Sequence, residues 1–82
     1  MAFVVVRGKN DERFIPTVER MLYAGQAIVA EPVLNEFGSA MVIVDAGTGN
    51  AQYLADRFGS AMFGATVFPD VWAAMDYVES ER

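Results

Sequence analysis

The residues of this chain best suited to holding a small molecule lie in a glycine-rich turn within the stretch VIVDAGTGNAQYLADRFG. An apolar run ends in an aspartate, two glycines follow, and a helical pattern begins. Glycines allow a ligand to approach the backbone, and the free N–H groups at a helix N-terminus attract phosphate. The candidate ligand-binding residues are Asp45, Gly47, Thr48, Gly49 and Asn50.

At this turn the sequence resembles the first motif of S-adenosylmethionine-dependent methyltransferases and, more loosely, the phosphate loops of dinucleotide-binding folds. Residues 42–44 correspond to the hydrophobic strand of the motif, Asp45 to its acidic end and residues 47–49 to its tight loop. Ala51 stands where the motif has its usual third glycine. The resemblance implies a nucleoside-binding turn.

The alternative interpretation of the same residues is purely structural. A short strand-to-helix connection needs glycine for positive φ, and Thr48 or Asn50 is suited to capping the helix that follows. On this interpretation the turn binds nothing, and Gly47→Ala costs only stability.

A second candidate site is the segment RGKND at residues 7–11, where Arg7 and Lys9 precede a predicted helix start. Two cations beside free N–H groups are suited to binding an anion. The alternative is a solvated loop, in which case reversing both charges leaves the fold intact because exposed charges contribute little to stability.

The composition excludes several kinds of chemistry. The chain has no cysteine and no histidine, which excludes disulfides, thiolate metal sites, cysteine nucleophiles and the usual general base at neutral pH. Its carboxylates are scattered, and no nucleophile has an evident base. We therefore predict no catalytic residue, no metal site, no cofactor and no enzymatic activity.

The net charge of −5 bears on possible partners. An acidic chain repels phosphates, so we expect no direct binding to nucleic acid, whereas a partner protein with a basic surface is compatible. The alternative is that acidity only keeps an apolar domain soluble, because 54% of the residues are hydrophobic. No stretch resembles a signal peptide or a membrane span, which predicts a cytoplasmic protein without membrane association.

Hydrophobic periodicity predicts four strands and three helices. The predicted strands are AFVVVR, QAIVAEPV, AMVIVD and AMFGATVF, and Pro32 marks the second as an edge strand or as its end. The first helix is predicted from Asp11 to Ala24, or from nearer Phe14 because Pro16 belongs in a first turn. The second closes at Gly59, and Asp70 caps the third.

This order predicts one α+β domain over residues 1–82: a ferredoxin-like β-α-β-β-α-β sandwich with an additional C-terminal helix. Its first and third strands are central, in agreement with their apolar residues on both faces. The alternative is a small open α/β sheet of repeated strand–helix units. The pentapeptide FGSAM, which occurs at 37–41 and again at 58–62 and is predicted to open a strand each time, is compatible with such a duplication.

Apolar residues on both sheet faces also predict self-association. Two helices cover one face, so apolar side chains are expected on an uncovered face that a homodimer or higher oligomer buries. These are either Phe3 and Val5 or Val4 and Val6 of the first strand, with Met41 and Ile43 or Val42 and Val44 of the third. Alternatively, the last helix covers that face through its inner residues. These are Val71, Ala74, Met75 and Val78. Trp72 and Tyr77, on the flanks of that helix, are candidate interface anchors.

The sequence thus favours a small non-catalytic protein that acts by protein–protein binding, as a regulator, an assembly subunit or a stand-alone inhibitor. The alternative is a small-molecule-sensing ferredoxin-like module that binds a nucleoside, a phosphate or an amino acid at the glycine-rich turn.

Overall fold

The computed structural model describes residues 2–82, in which three helices pack on one five-stranded antiparallel sheet. The strands are β1 (Phe3–Lys9), β2 (Ala27–Ile28), β3 (Val33–Leu34), β4 (Ser39–Asp45) and β5 (Gly64–Phe68). The helices are α1 (Phe14–Met21), α2 (Ala51–Ala61) and α3 (Val71–Ser80). The α+β class predicted from the sequence is confirmed. Over the described residues, none of the helices has the length and apolar character needed to cross a bilayer.

The sheet order is β2-β4-β1-β5, with β3 also paired to β4. Every pairing is antiparallel, which favours the α+β class over an open α/β sheet of repeated units. The prediction that the first and third apolar runs form central strands is confirmed, since β1 and β4 each have neighbours on both sides. Their β-branched and apolar side chains are buried on both faces, as central strands require.

The edge beside β4 is interrupted, which the sequence did not predict. Ile28 lies opposite Val44 and Val33 opposite Met41, so residues 29–32 of the edge chain face only two residues of β4. The excess residues form a bulge that contains Pro32, which has no N–H to donate. The prediction of one strand over QAIVAEPV is therefore wrong, whereas the assignment of Pro32 to an edge is confirmed.

One face of the sheet packs against α1 and α2. The fully buried residues include Val4, Val6, Val42 and Val44 of the two central strands, Val18 of α1, and Leu54 and Phe58 of α2. This face carries the larger core. It matches the expectation that two helices cover one side.

The other face is covered by α3. Val5, Met41 and Ile43 are buried beneath Ala74 and Val78. The expectation that this face is left open is therefore wrong, because the alternative cover by the last helix is the one observed. Of the predicted inner residues, Ala74 and Val78 face the sheet, but Met75 is 45% exposed and does not cover it.

The two FGSAM copies adopt different structures. In the first copy Gly38 takes φ +82° in a turn, and residues 39–41 begin β4. In the second, residues 58–61 continue α2, and Met62 is its C-terminal cap. The predictions that the second copy opens a strand and that the helix closes at Gly59 are wrong, because Phe58 extends the buried stripe of α2 for another turn.

The helix starts largely follow their local signals. The α1 helix begins at Phe14 with Pro16 in its first turn, as the alternative start predicted, although it ends at Met21 rather than at Ala24. The carboxylate of Asp70 accepts the N–H of Ala73 at 2.8 Å, which confirms the predicted cap of α3.

Candidate functional site

The glycine-rich turn joins β4 to α2 through contacts within the turn itself. The Asp45 carboxylate accepts the N–H of Gly47 at 2.8 Å, and Gly47 has φ +68°. The Asn50 side chain accepts the N–H of Tyr53 at 3.1 Å and thereby caps α2. Two of the side chains most suited to holding a ligand, those of Asp45 and Asn50, are thus already paired within the turn.

A second loop packs against this turn and fixes its position. The Gln26 side chain donates to the carbonyl of Ala46 at 3.1 Å and accepts the N–H of Tyr23 at 2.8 Å. Sequence reasoning did not identify Gln26, because no motif signals a contact across twenty positions of chain. The residue links the turn before β2 to the turn after β4.

Between the two turns lies an open cleft of about 390 Å³. Its lining includes Asp45, Gly47, Thr48 and Gly49 from one side and Tyr23, Gly25 and Gln26 from the other. Thr48 and Gly49 are exposed. The fold thus brings four of the five predicted ligand-binding residues to one cleft, although Asp45 and Gly47 are bonded to each other. Ligand binding at this turn stays a prediction.

Gly47→Ala tests the structural interpretation of the turn. We expect a loss of about 1–2 kcal/mol in the free energy of unfolding, because a side chain disfavours the left-handed conformation. The added Cβ would also stand 3.0 Å from the carbonyl oxygen of Gly25. Gly59→Ala is the matched control: Gly59 is helical and open, so we expect a gain of about 0.5–1 kcal/mol. Urea unfolding measures both.

Calorimetric titration with S-adenosylmethionine, ATP and NAD separates the two interpretations of the turn. We expect no heat from any of the three, because the Asp45 and Asn50 side chains are bonded within the turn. Micromolar binding that Gly47→Ala abolishes and Gly59→Ala preserves would contradict the structural interpretation and establish a nucleoside site.

The two cations of the second candidate site have different surroundings. The half-buried guanidinium of Arg7 donates to the Tyr77 hydroxyl at 3.4 Å and lies 3.4 Å from a Glu81 carboxylate oxygen. It thereby ties β1 to α3. Lys9, by contrast, is exposed.

Lys9 lines a cleft of about 280 Å³ next to the start of α1. The polar groups there are Lys9, Asp11, Arg13 and Thr17, and the apolar wall consists of Phe14, Ala61, Met62 and Phe63. The Asp11 carboxylate accepts the N–H of Arg13 at 2.9 Å and closes the turn before α1, whose N-cap residue Arg13 makes no side-chain cap. An anion at this position would meet Lys9 and Arg13 rather than Lys9 and Arg7.

Charge reversal at Arg7 and Lys9 separates their roles. Arg7→Glu is expected to cost about 1–3 kcal/mol, because it removes charge-assisted contacts and sets two carboxylates side by side at Glu81. Lys9→Glu is expected to stay within about 0.5 kcal/mol, since the side chain is exposed. Thermal unfolding measures both, and equal losses in the two variants would contradict the role given to Arg7.

The four candidate interface residues differ in how far their side chains are exposed. Val5 is buried beneath α3, and Phe3 is half-buried at the edge of the same cluster. The Tyr77 ring packs against Phe68 with 5.1 Å between centroids. Trp72 alone presents an exposed ring, 71% accessible, on the outer face of α3.

Met75 follows Trp72 by three positions, so both side chains lie on the same outer face of α3. Asp76 and Glu79 follow at the next helical spacings, and both are exposed. We call these four residues the Trp72 face. It combines two large apolar side chains with two carboxylates.

Comparison with protein-family models, with curated proteins and with solved structures found no match to this chain.

Proposed function

We propose that this chain is a small non-catalytic protein that acts by binding another protein through the Trp72 face. The observation that carries the proposal is the pair of exposed apolar side chains, Trp72 and Met75, on one side of a helix whose opposite side is fixed to the sheet. Tryptophan is among the residues that most often dominate binding energy at protein interfaces. Methionine adapts its shape to an irregular partner surface.

The charges around Trp72 and Met75 indicate the chemistry of the partner. Asp76 and Glu79 adjoin them, and Asp70 and Glu81 lie at the two ends of α3. In the described part of the chain, Arg82, 3.2 Å from Glu79, and Arg7, 3.4 Å from Glu81, balance only two of these four negative charges. A complementary surface has an apolar pocket rimmed by lysine or arginine, since opposite potentials speed encounter and fix orientation. A regulator, an assembly subunit or a stand-alone inhibitor would each use such a surface.

Affinity capture from cells of the source organism tests the proposal when variants are compared side by side. We expect the Trp72→Ala variant to fail to capture a protein that both the unaltered chain and the Tyr53→Ala variant capture. Tyr53 is the matched control because it is an exposed aromatic residue on a different helix, α2. A captured set that does not change with Trp72→Ala would contradict the proposal.

The purified partner then gives a direct measurement. Trp72 is the only tryptophan of the chain, so its emission reports on this face alone if the partner has no signal of its own. We expect a blue shift on binding, as the ring leaves water, and weaker binding at higher salt. Binding without a change in emission would locate the interface elsewhere.

We also propose that the topology is ferredoxin-like, with β2 and β3 as two parts of one interrupted edge strand and α3 as an addition. Both parts pair with the same edge of β4. The bulge has two more residues than the facing segment of β4. Deletion of Glu31 and Pro32 would therefore let β2 and β3 pair with β4 in one continuous register. We expect the deleted chain to fold, with amide exchange slowed along a continuous strand. A chain that unfolds would contradict this topology.

A further inference from the structure

The outer edge of β5 differs from the outer edge of β2 and β3. Among residues 2–82, β5 pairs with β1 alone, so its other side offers unpaired N–H and C=O groups. Its sequence, GATVF, has no charge and no proline, which are the usual means of blocking an exposed edge. The opposite edge has both Glu31 and Pro32 in its bulge. The chain therefore blocks one edge of its sheet and leaves the other open.

We propose that β5 pairs antiparallel with β5 of a second copy of this chain, across a two-fold axis at Thr66. The pairing that engages all five residues of the strand sets Gly64 opposite Phe68, Ala65 opposite Val67 and Thr66 opposite itself. Residues directly opposite in an antiparallel pair point to the same face and contact each other. In a strand that pairs with its own copy, residues at equal distances on either side of the central residue must therefore have side chains that fit each other.

The side chains of β5 meet this requirement. Each glycine or alanine lies opposite a larger apolar residue, and the central threonine pair is favourable. A Cβ at Gly64 would meet nothing within 4 Å, which leaves room for the Phe68 ring of the second copy. A cavity of about 60 Å³ beside Gly64, lined in part by Arg7 and Tyr77, extends that room.

Phe63 supports the same register. Its ring is 67% exposed at the position just before β5. In the proposed pairing Phe63 lies opposite Pro69 of the second copy, which gives this large apolar side chain an apolar neighbour. The pair occurs twice by symmetry, once at each end of the paired strands.

Charge favours β5 over other routes to self-association. Two copies at −5 repel each other, so contact through the acidic outer side of α3 is disfavoured. The strand β5 brings no charge to the contact. The proposed β5 pairing uses residues other than those of the Trp72 face. Either of the two proposals can therefore fail without the other.

Sedimentation equilibrium of two lysine variants tests the pairing. Thr66 is exposed, so Thr66→Lys is expected to fold while setting two like charges opposite each other at the axis. Thr48→Lys, at the exposed turn after β4, is the matched control. We expect the unaltered chain and Thr48→Lys to sediment at twice 9.0 kDa. For Thr66→Lys we expect a dissociation constant weaker by on the order of 100-fold.

The absence of cysteine gives an independent test. Thr66→Cys places one thiol at the axis, and we expect a bismaleimide of short span to link two copies, whereas Thr48→Cys stays unlinked. A monomer of 9.0 kDa at every concentration up to the millimolar range would overturn the proposal. A dimer that Thr66→Lys leaves intact, with Thr66→Cys unlinked, would overturn it as well.

Discussion

Ala74→Asp is expected to lower the free energy of unfolding by about 3–5 kcal/mol, the range for leaving one uncompensated charge buried. Ala74 is fully buried where α3 crosses the sheet, in the cluster that contains Met41 and Ile43. The cluster around it is apolar, and the Arg7 guanidinium, 3.7 Å from Met41 Sδ, already faces Glu81. The chain must therefore either bury the charge or release α3. Release of α3 would expose the second face of the sheet.

Ser80→Asp is the matched control, because Ser80 is exposed on the same helix. A carboxylate near the C-terminus of a helix costs up to about 1 kcal/mol through the helix dipole. Urea unfolding followed by circular dichroism measures both variants, and binding of a hydrophobic dye reports the exposed face. Equal stability of the two variants would mean that α3 contributes little to the fold and that the second face needs another cover.

Phe58→Ala is expected to cost about 3–5 kcal/mol, whereas Phe37→Ala is expected to stay within about 0.5 kcal/mol. Phe58 is 0% exposed and is the largest fully buried side chain, while Phe37 is 85% exposed. The two residues begin identical pentapeptides, so local sequence is held constant while the surroundings differ. A domain of 82 residues has a stability of about 4–12 kcal/mol, so the loss at Phe58 is a large fraction of it.

Denaturant midpoints of the two phenylalanine variants provide the measurement. A large loss at Phe37 would show that its ring is buried by a contact between copies or with the loops around it. A small loss at Phe58 would contradict the packing of α2 on the sheet, since filling that space is the main role of this ring.

The parts of the fold that depend on local chemistry were predictable from the sequence. The runs around Val4 and Val42 are apolar on both faces, which is enough to identify central strands. Asp70 and Asn50 precede helices at the spacing that a side-chain cap requires, and both act as caps. Each of these features is decided within a few residues of the chain.

The parts that depend on distant residues were not predictable. The second FGSAM copy remains helical because Phe58 meets the sheet, and five identical residues contain no information about that contact. Met75 has the same spacing as the inner residues of α3, yet the helix is rotated so that Ala74 and Val78 face the sheet. Helix rotation is set by the surface beneath it, which the periodicity of one helix does not describe.

The candidate sites follow the same division. The strand, turn and helix around Gly47 were predictable because they are contiguous, whereas the link from Gln26 joins residues twenty positions apart. Arg7 has the same local appearance as Lys9, and its role follows from Tyr77, seventy positions away. The role of a charged residue at the end of a strand can therefore be assigned only once the element that packs over it is known.

The bulge at residues 29–32 would limit how far the proposed assembly can proceed. A sheet that is receptive at both edges adds a copy at each and polymerises into a fibre, because every addition creates a new receptive edge. In this chain the opposite edge is interrupted at Pro32, so the proposed pair through β5 would present only interrupted edges to solvent. In that proposed pair growth would stop at two, because Pro32 lies between the two short strands of each remaining edge.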